Sequence, residues 1–224
     1  MNEFCRARGL ARIVDEVFLD YAINDEISAA SAVDFRSTGQ PGVAVPTFSA
    51  AAPSFAGNQD VLTFTLSGLS KISALPQMKV AWVVTSGPDE QVVAAMARLE
   101  VIADTYLSMS APVQWAVPVM LEQRERIQRQ LRERVRGNLA ELDRQLAEPK
   151  TCQRLSVEGG WYAVLRVPVT QSDEELAIEL VREKSVLVHP GHFYDFESDG
   201  YLVLSLIAAE AEFKEGVEGV LEKF

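Results

Sequence analysis

The 224-residue sequence is poor in the residues that build metal centres and disulfide frameworks. It contains two cysteines and two histidines. Cys5 and Cys152 lie far apart and fit no metal-binding spacing, and neither an HExxH motif nor a paired CxxC motif occurs. The sequence therefore predicts neither a metal site nor a structural disulfide. Two cysteines with no predicted disulfide are typical of a reduced, cytoplasmic protein.

Long apolar runs are also absent, since no run reaches the roughly 18 residues that a membrane span requires. The first residues, MNEFCRARG, are too charged for a secretory signal. The chain carries 21 Lys and Arg against 32 Asp and Glu, a net charge of −11. Such an acidic balance argues against general binding to nucleic acids or to anionic membranes, so we expect neither as a partner.

Several sequence motifs of common enzymes are missing. No glycine-rich phosphate loop of the dinucleotide or P-loop type occurs, and the GxSxG elbow of serine hydrolases is absent. A Ser-x-x-Lys nucleophile built on Lys71 fails because residue 68 is glycine. These absences exclude the best-marked nucleotide-binding and hydrolase families.

The patterns that are present predict a mixture of strands and helices. Three apolar runs have the length and composition of strands buried on both faces of a parallel sheet: residues 10–14, 61–66 and 79–85. An irregular segment is predicted over 22–60, and helices over 88–106 and 119–147. The fold class predicted is α/β: a partial, mostly parallel sheet in residues 1–118, followed by a small α+β domain in residues 119–224 that includes the long helix.

Two segments place polar side chains just past the ends of predicted strands. The first is IVDEVFLDY, residues 13–21, in which Asp15 ends a strand. The second is SGLSKISALPQMK, residues 67–79, in which Lys71 follows a strand. In open α/β sheets, ligands bind outside the carboxyl ends of the strands. These two segments are therefore the candidate functional site.

Taken in this order, the two segments resemble the class I and II aminotransferases, which are fold-type I pyridoxal-phosphate (PLP) enzymes. The resemblance rests on Gly68-Leu69-Ser70-Lys71 followed by Leu75 and Lys79, and on DEVFLDY. It continues through GGWYAVLRVP and VLVHPGHFYDF, so that it covers nearly the whole chain.

The resemblance implies a role for each polar residue. Lys71 would form a Schiff base with the cofactor aldehyde and move a proton during the reaction. Asp15 would keep the pyridine nitrogen protonated, so that the ring accepts electrons. The remaining candidates would bind the phosphate or the phenolic oxygen: Ser70 and Lys79 the phosphate, Ser67 more weakly, and Tyr21 the phenolic oxygen. A buried core position is the alternative for Tyr21.

Three positions depart from the family's pattern. Lys79 stands where the family has arginine, so it would hold a phosphate as a point charge rather than through a planar fork. Phe18 replaces a tyrosine and cannot donate a hydrogen bond. Val203 occupies the place of the arginine that commonly binds the substrate carboxylate. Recognition of ordinary amino acids is therefore in question.

Family members carry a long segment before the aspartate, so the resemblance implies that this chain is the C-terminal portion of such an enzyme. The implied reaction transfers an amino group between an amino acid and a 2-oxo acid. A homodimer is expected for the full-length form. Two alternatives stay open at this point: another fold-type I activity such as a β-lyase, and a non-catalytic chain that only binds a ligand or oligomerises.

Overall fold

The computed structural model describes residues 1–23, 53–106, 109–147 and 151–224. Most of the segment predicted to be irregular, residues 22–60, lies outside this description. The described chain divides into two compact units, Met1–Gln128 and Arg129–Phe224. The domain boundary predicted between residues 118 and 119 stays a prediction.

The first unit contains short strands and helices of very different length. Its strands are β1 (Arg12–Asp15), β2 (Thr63–Gly68) and β3 (Ala81–Ser86), and its helices are α1 (Asn2–Ala7), α2 (Leu69–Ile72), α3 (Asp89–Thr105) and α4 (Ala111–Glu122). Single 3-10 turns lie at Leu19–Tyr21, Phe55–Gly57 and Pro76–Met78. Helix α5 (Arg124–Leu146) begins in this unit and continues into the second.

The second unit is an antiparallel sheet with helices. Its strands are β4 (Gln153–Arg154), β5 (Tyr162–Arg166), β6 (His189–Pro190) and β7 (Tyr201–Ser205), and its further helices are α6 (Asp173–Lys184) and α7 (Glu210–Leu221). In the part of the chain that is described, no helix is long and apolar enough to cross a membrane. The mixed α/β class predicted from the sequence is confirmed.

The sheet of the first unit has the strand order β1-β2-β3, with one parallel and one antiparallel pair. Strands β1 and β2 run parallel, with Asp15 opposite Leu66. Strand β3 runs antiparallel to β2, so the prediction that it belongs to a parallel sheet is wrong. The reason is the connection between them: α2 and one 3-10 turn return the chain to the same end of the sheet, whereas a parallel strand needs a crossover to the opposite end.

The prediction that these strands are buried on both faces is wrong among the described residues. Ile13 is 74% exposed, and Val83 and Val84 are also exposed. In β2, by contrast, Thr63 and Thr65 are buried. These exposed side chains leave apolar surface uncovered on β1 and β3 in the described part of the chain.

The long helix predicted over residues 119–147 is two helices. Helix α4 ends at Glu122, and α5 begins at Arg124. Helix-favouring residues flank Gln123 on both sides, so the sequence periodicity continues across the break and does not reveal it. In α5, Val135, Leu139 and Leu142 are buried, as the apolar stripe predicted.

The sheet of the second unit has the order β4-β5-β7-β6, and all its pairs are antiparallel. Its core is aliphatic, and the fully buried side chains include Leu165, Leu180, Leu202, Leu206 and Val217. The apolar residues VLV at 186–188 predict a short strand, and the observed strand β6 lies slightly later in the sequence. The two-residue strand β4 was not predicted. Helix α6 begins with a capping box, because Ser172 and Glu175 bond each other's backbone amides.

A buried carboxylate joins three parts of the second unit. Asp173 is 2% exposed. Its carboxylate accepts hydrogen bonds from the backbone amides of Gly191 at 3.3 Å, Gly200 at 2.6 Å and Tyr201 at 3.1 Å. These amides lie in the turn after β6 and at the start of β7, so Asp173 fastens the first turn of α6 to both.

Candidate active site

Asp15 lies at the carboxyl end of β1. One carboxylate oxygen accepts a hydrogen bond from the backbone amide of Val17 at 3.1 Å, which holds the side chain in a turn. The amide of Glu16 donates to the carbonyl of Leu66 at 2.9 Å and extends the pairing with β2 by one residue. Asp15 is therefore fixed at a defined edge of the sheet, and its side chain is exposed.

Lys71 lies at the same edge of the sheet, in the helix that follows β2. Because β1 and β2 are parallel with Asp15 opposite Leu66, residues just past both positions meet at one edge. The Lys71 Nζ atom lies 5.2 Å from the centre of the Phe18 ring, within the range of a cation–π contact. Phe18 comes three residues after Asp15, so the lysine side chain approaches the segment that Asp15 begins.

Tyr21 joins the same two segments through a hydrogen bond. It is 2% exposed, and its hydroxyl donates to the backbone carbonyl of Lys71 at 2.7 Å. Its ring meets the ring of Phe18 edge to face, with the centroids 6.4 Å apart. Tyr21 is thus buried and bound to the Lys71 backbone. A contact between Tyr21 and a cofactor stays a prediction.

The pairing of β2 and β3 extends by one backbone hydrogen bond past Gly68 and Ala81. The amide of Leu69 donates to the carbonyl of Val80 at 3.0 Å, and these two residues adjoin Ser70 and Lys79 in the sequence. Gly68 permits this approach, since a Cβ atom there would lie 2.6 Å from the Val80 carbonyl oxygen.

Lys79 lies just before β3, and Ser67 lies within β2. Lys79 is exposed and has a left-handed backbone with φ of 54°, which is uncommon for a residue other than glycine. This conformation ends the turn Pro76–Met78 and starts the approach to β3. Ser67 is half-buried within β2, opposite Trp82.

Sequence reasoning missed Gln128, which contacts both segments of the site. Its side-chain amide donates to the carboxylate of Asp20 and to the carbonyl of Ile72, each at 2.9 Å. These partners lie 108 and 56 residues away along the chain. No local pattern in the sequence indicates such a contact.

The side chains at this edge have the chemistry that an aldehyde-bearing phosphorylated pyridine requires. A primary amine can bond the aldehyde carbon, a carboxylate can pair with a protonated ring nitrogen, and a hydroxyl and a second cation can bind a phosphate. Lys71, Asp15, Ser70 and Lys79 supply these four groups. In the described ranges, no group of three or more His, Cys, Asp or Glu side chains could hold a metal ion.

Comparison with known proteins gives the family of the chain. The family model of the aminotransferases of class I and II matches residues 1–215. The chain belongs to this family. No curated protein matches this aminotransferase chain at a significant level.

Solved structures of aminotransferases share the fold. An aminotransferase from Escherichia coli superposes with a TM-score of 0.76 at 16% identity, covering 99% of this chain and 50% of that one. Aspartate aminotransferase from Thermotoga maritima gives a TM-score of 0.70 at 17% identity, covering 99% and 49%. At these identities the likeness shows the fold-type I architecture alone.

A third structure contains a bound ligand. The α-aminoadipate aminotransferase LysN from Thermus thermophilus, complexed with N-(5'-phosphopyridoxyl)-L-leucine, superposes with a TM-score of 0.68 at 20% identity. It is covered over 51% of its length, against 99% of this chain. The chain therefore spans about half the length of the solved aminotransferases that it matches.

Proposed function

We propose that this chain carries the lysine and aspartate of a PLP-dependent aminotransferase, which moves an amino group between an amino acid and a 2-oxo acid. The observation that supports the proposal most strongly is the parallel register of β1 and β2, with Asp15 opposite Leu66. It brings the Asp15 segment and the Lys71 helix to one edge of a sheet. The hydrogen bond from Tyr21 to the Lys71 carbonyl ties the two together.

In this proposal Lys71 is the catalytic residue. Its amine would bond to the aldehyde carbon of PLP, with the carbonyl oxygen lost as water. Once a substrate amine displaced it, the freed amine would hold or release the proton at the substrate α-carbon. PLP supplies an electron sink for the bond that breaks. The ring of Phe18 lies 5.2 Å from the Lys71 ammonium group, within the range of a cation–π contact.

Asp15 is proposed to keep the cofactor's ring nitrogen protonated. An ion pair at contact distance is worth on the order of 4 kcal/mol at an effective dielectric constant of about 20. This energy corresponds to a rise of about 3 units in the pKa of the ring nitrogen. The turn that Asp15 forms with Val17 presets the direction of the carboxylate before a ligand arrives.

Ser70 and Lys79 are proposed to bind the cofactor phosphate, with Ser67 a weaker candidate. The proposal is supported by the Leu69–Val80 hydrogen bond, which joins the residues that adjoin Ser70 and Lys79 in the sequence. A lysine binds phosphate as a point charge, so the phosphate is oriented less strictly than by an arginine fork.

The substrate is proposed to be an amino acid and a 2-oxo acid that are recognised without an arginine at residue 203. Val203 is 4% exposed and lies between Val164 and His189 in the sheet of the second unit. A buried valine offers no charge to a substrate carboxylate.

We also propose a cytoplasmic location and a homodimer for the full-length protein.

A single-turnover assay tests the proposed reaction. The chain is loaded with PLP and mixed with a panel of amino acids in the absence of any 2-oxo acid. We expect at most one equivalent of 2-oxo acid product per loaded chain, followed by continued turnover once a second 2-oxo acid is added. Release of the amino acid's side-chain leaving group would instead indicate a β-lyase. PLP attachment without any product would favour the non-catalytic alternative.

A further inference from the structure

The helix that carries Lys71 is too short to hold its own shape. Helix α2 contains four residues, Leu69–Ile72, which is about one turn. A single helical turn is unstable by itself, because its formation orders several residues for one hydrogen bond. The last carbonyls of any helix also lack partners within the helix. The direction of the Lys71 side chain therefore depends on contacts from outside α2.

Two side chains bond consecutive carbonyls of this helix. The Tyr21 hydroxyl donates to the carbonyl of Lys71 at 2.7 Å. The Gln128 amide donates to the next carbonyl, that of Ile72, at 2.9 Å. Both side chains are almost fully buried, with Tyr21 2% and Gln128 5% exposed. The burial of both donors limits the access of water, so the loss of either donor leaves a carbonyl that is less readily satisfied by solvent.

Gln128 makes a second bond to the other half of the site. Its Nε2 atom carries two N–H groups, and the second donates to the Asp20 carboxylate at 2.9 Å. Asp20 lies in the segment that leads from Asp15 to Tyr21. One amide group therefore holds the Asp15 segment and the Lys71 helix at a fixed separation.

We propose that Gln128 is a positioning residue, which joins Asp20 to the carbonyl of Ile72 and so fixes the helical turn that carries Lys71. This inference rests on the proposed function, because Lys71 must point at one atom of the cofactor. Gln128 lies in the first turns of α5, and its side-chain amide bonds the Asp20 carboxylate and the Ile72 carbonyl. Its effect is transmitted through the backbone.

The test compares Gln128→Met with a matched control on the same helix. Methionine keeps the length and removes both donors. Gln145→Met is the control, since Gln145 is also buried and also donates two hydrogen bonds, to Glu141 and to the Lys214 carbonyl.

Two quantities are measured for each variant. In the full chain, amide hydrogen exchange is measured at Ser73 and Leu75, whose amides donate to the Leu69 carbonyl. The rate of PLP attachment to Lys71 is measured by borohydride trapping and peptide mass spectrometry.

Gln128→Met is expected to speed exchange at Ser73 and Leu75 about ten-fold and to slow trapping at Lys71 by a similar factor, as the loss of two buried hydrogen bonds predicts. Gln145→Met is expected to change neither. Exchange that stays at the wild-type rate would overturn the proposal, and so would faster exchange with unchanged trapping. A wild-type chain that traps no PLP would contradict the proposed function, while the exchange result still tests the contact.

A second variant keeps the test decisive if Gln128→Met does not fold. Gln128→Glu preserves size and polarity, but its carboxylate cannot donate to the Ile72 carbonyl and faces the Asp20 carboxylate. We expect the same faster exchange and slower trapping from this variant at neutral pH. Wild-type behaviour of a folded Gln128→Glu chain, with folding checked by circular dichroism, would overturn the proposal.

Discussion

Lys71→Ala is expected to abolish covalent attachment of PLP and to lower any transamination rate by about 10³-fold or more. The reason is that one amine has two roles in the proposed reaction: it binds the cofactor, and it transfers a proton at the substrate α-carbon. Alanine keeps the helical propensity of the position, so the change removes the amine with little effect on the backbone. Attachment is measured by borohydride trapping, and the transamination rate by the 2-oxo acid formed.

Lys214→Ala is the matched control for this variant. Lys214 is exposed and lies in α7, in the second unit. It should retain wild-type trapping and turnover. If Lys71→Ala trapped PLP as well as Lys214→Ala does, the assignment of the catalytic lysine would be wrong.

Asp173→Ala is expected to lower the free energy of unfolding of the second unit by about 3–5 kcal/mol, a typical cost of leaving buried partners of a charge unpaired. The carboxylate bonds the amides of Gly191, Gly200 and Tyr201, and alanine leaves all three without this acceptor. Urea unfolding of the full chain, followed by circular dichroism, measures the loss.

Asp143→Ala provides the comparison for Asp173. Asp143 is an exposed aspartate of the same unit that accepts two hydrogen bonds from Arg154. Exposed ion pairs contribute little, so this variant should lose about 1 kcal/mol or less. Similar losses from both variants would show that the buried hydrogen bonds of Asp173 do not stabilise the unit as described.

Short apolar runs and helical spacing of apolar residues predict several elements of this chain. The strands that end near Asp15 and Gly68 follow from short apolar runs, and α3 follows from the helical spacing over residues 88–106. The direction of β3 could not be predicted in this way. It depends on how residues 69–80 fold back, and an apolar run has the same composition whichever way the strand runs.

Some residues of the candidate site could be predicted from the sequence, and others could not. Lys71 and Asp15 are found from short sequence segments, because the local order of residue types resembles a known family. Gln128 and Asp173 are found only in the structure, because their hydrogen-bond partners are far away in the sequence. The segment SDEE at 172–175 does indicate a helix start. It does not indicate that the carboxylate of Asp173 accepts hydrogen bonds from three backbone amides between residues 191 and 201.

The central claim is that Asp15 and Lys71 bind opposite ends of one cofactor ring. A crystal structure of the chain soaked with PLP tests it most directly. The account predicts a carboxylate oxygen of Asp15 within about 3 Å of the ring nitrogen, as a charged hydrogen bond requires, and the Lys71 Nζ atom bonded at the aldehyde carbon. A ring nitrogen that faced any other residue, or PLP bound away from the edge formed by β1 and β2, would contradict the account.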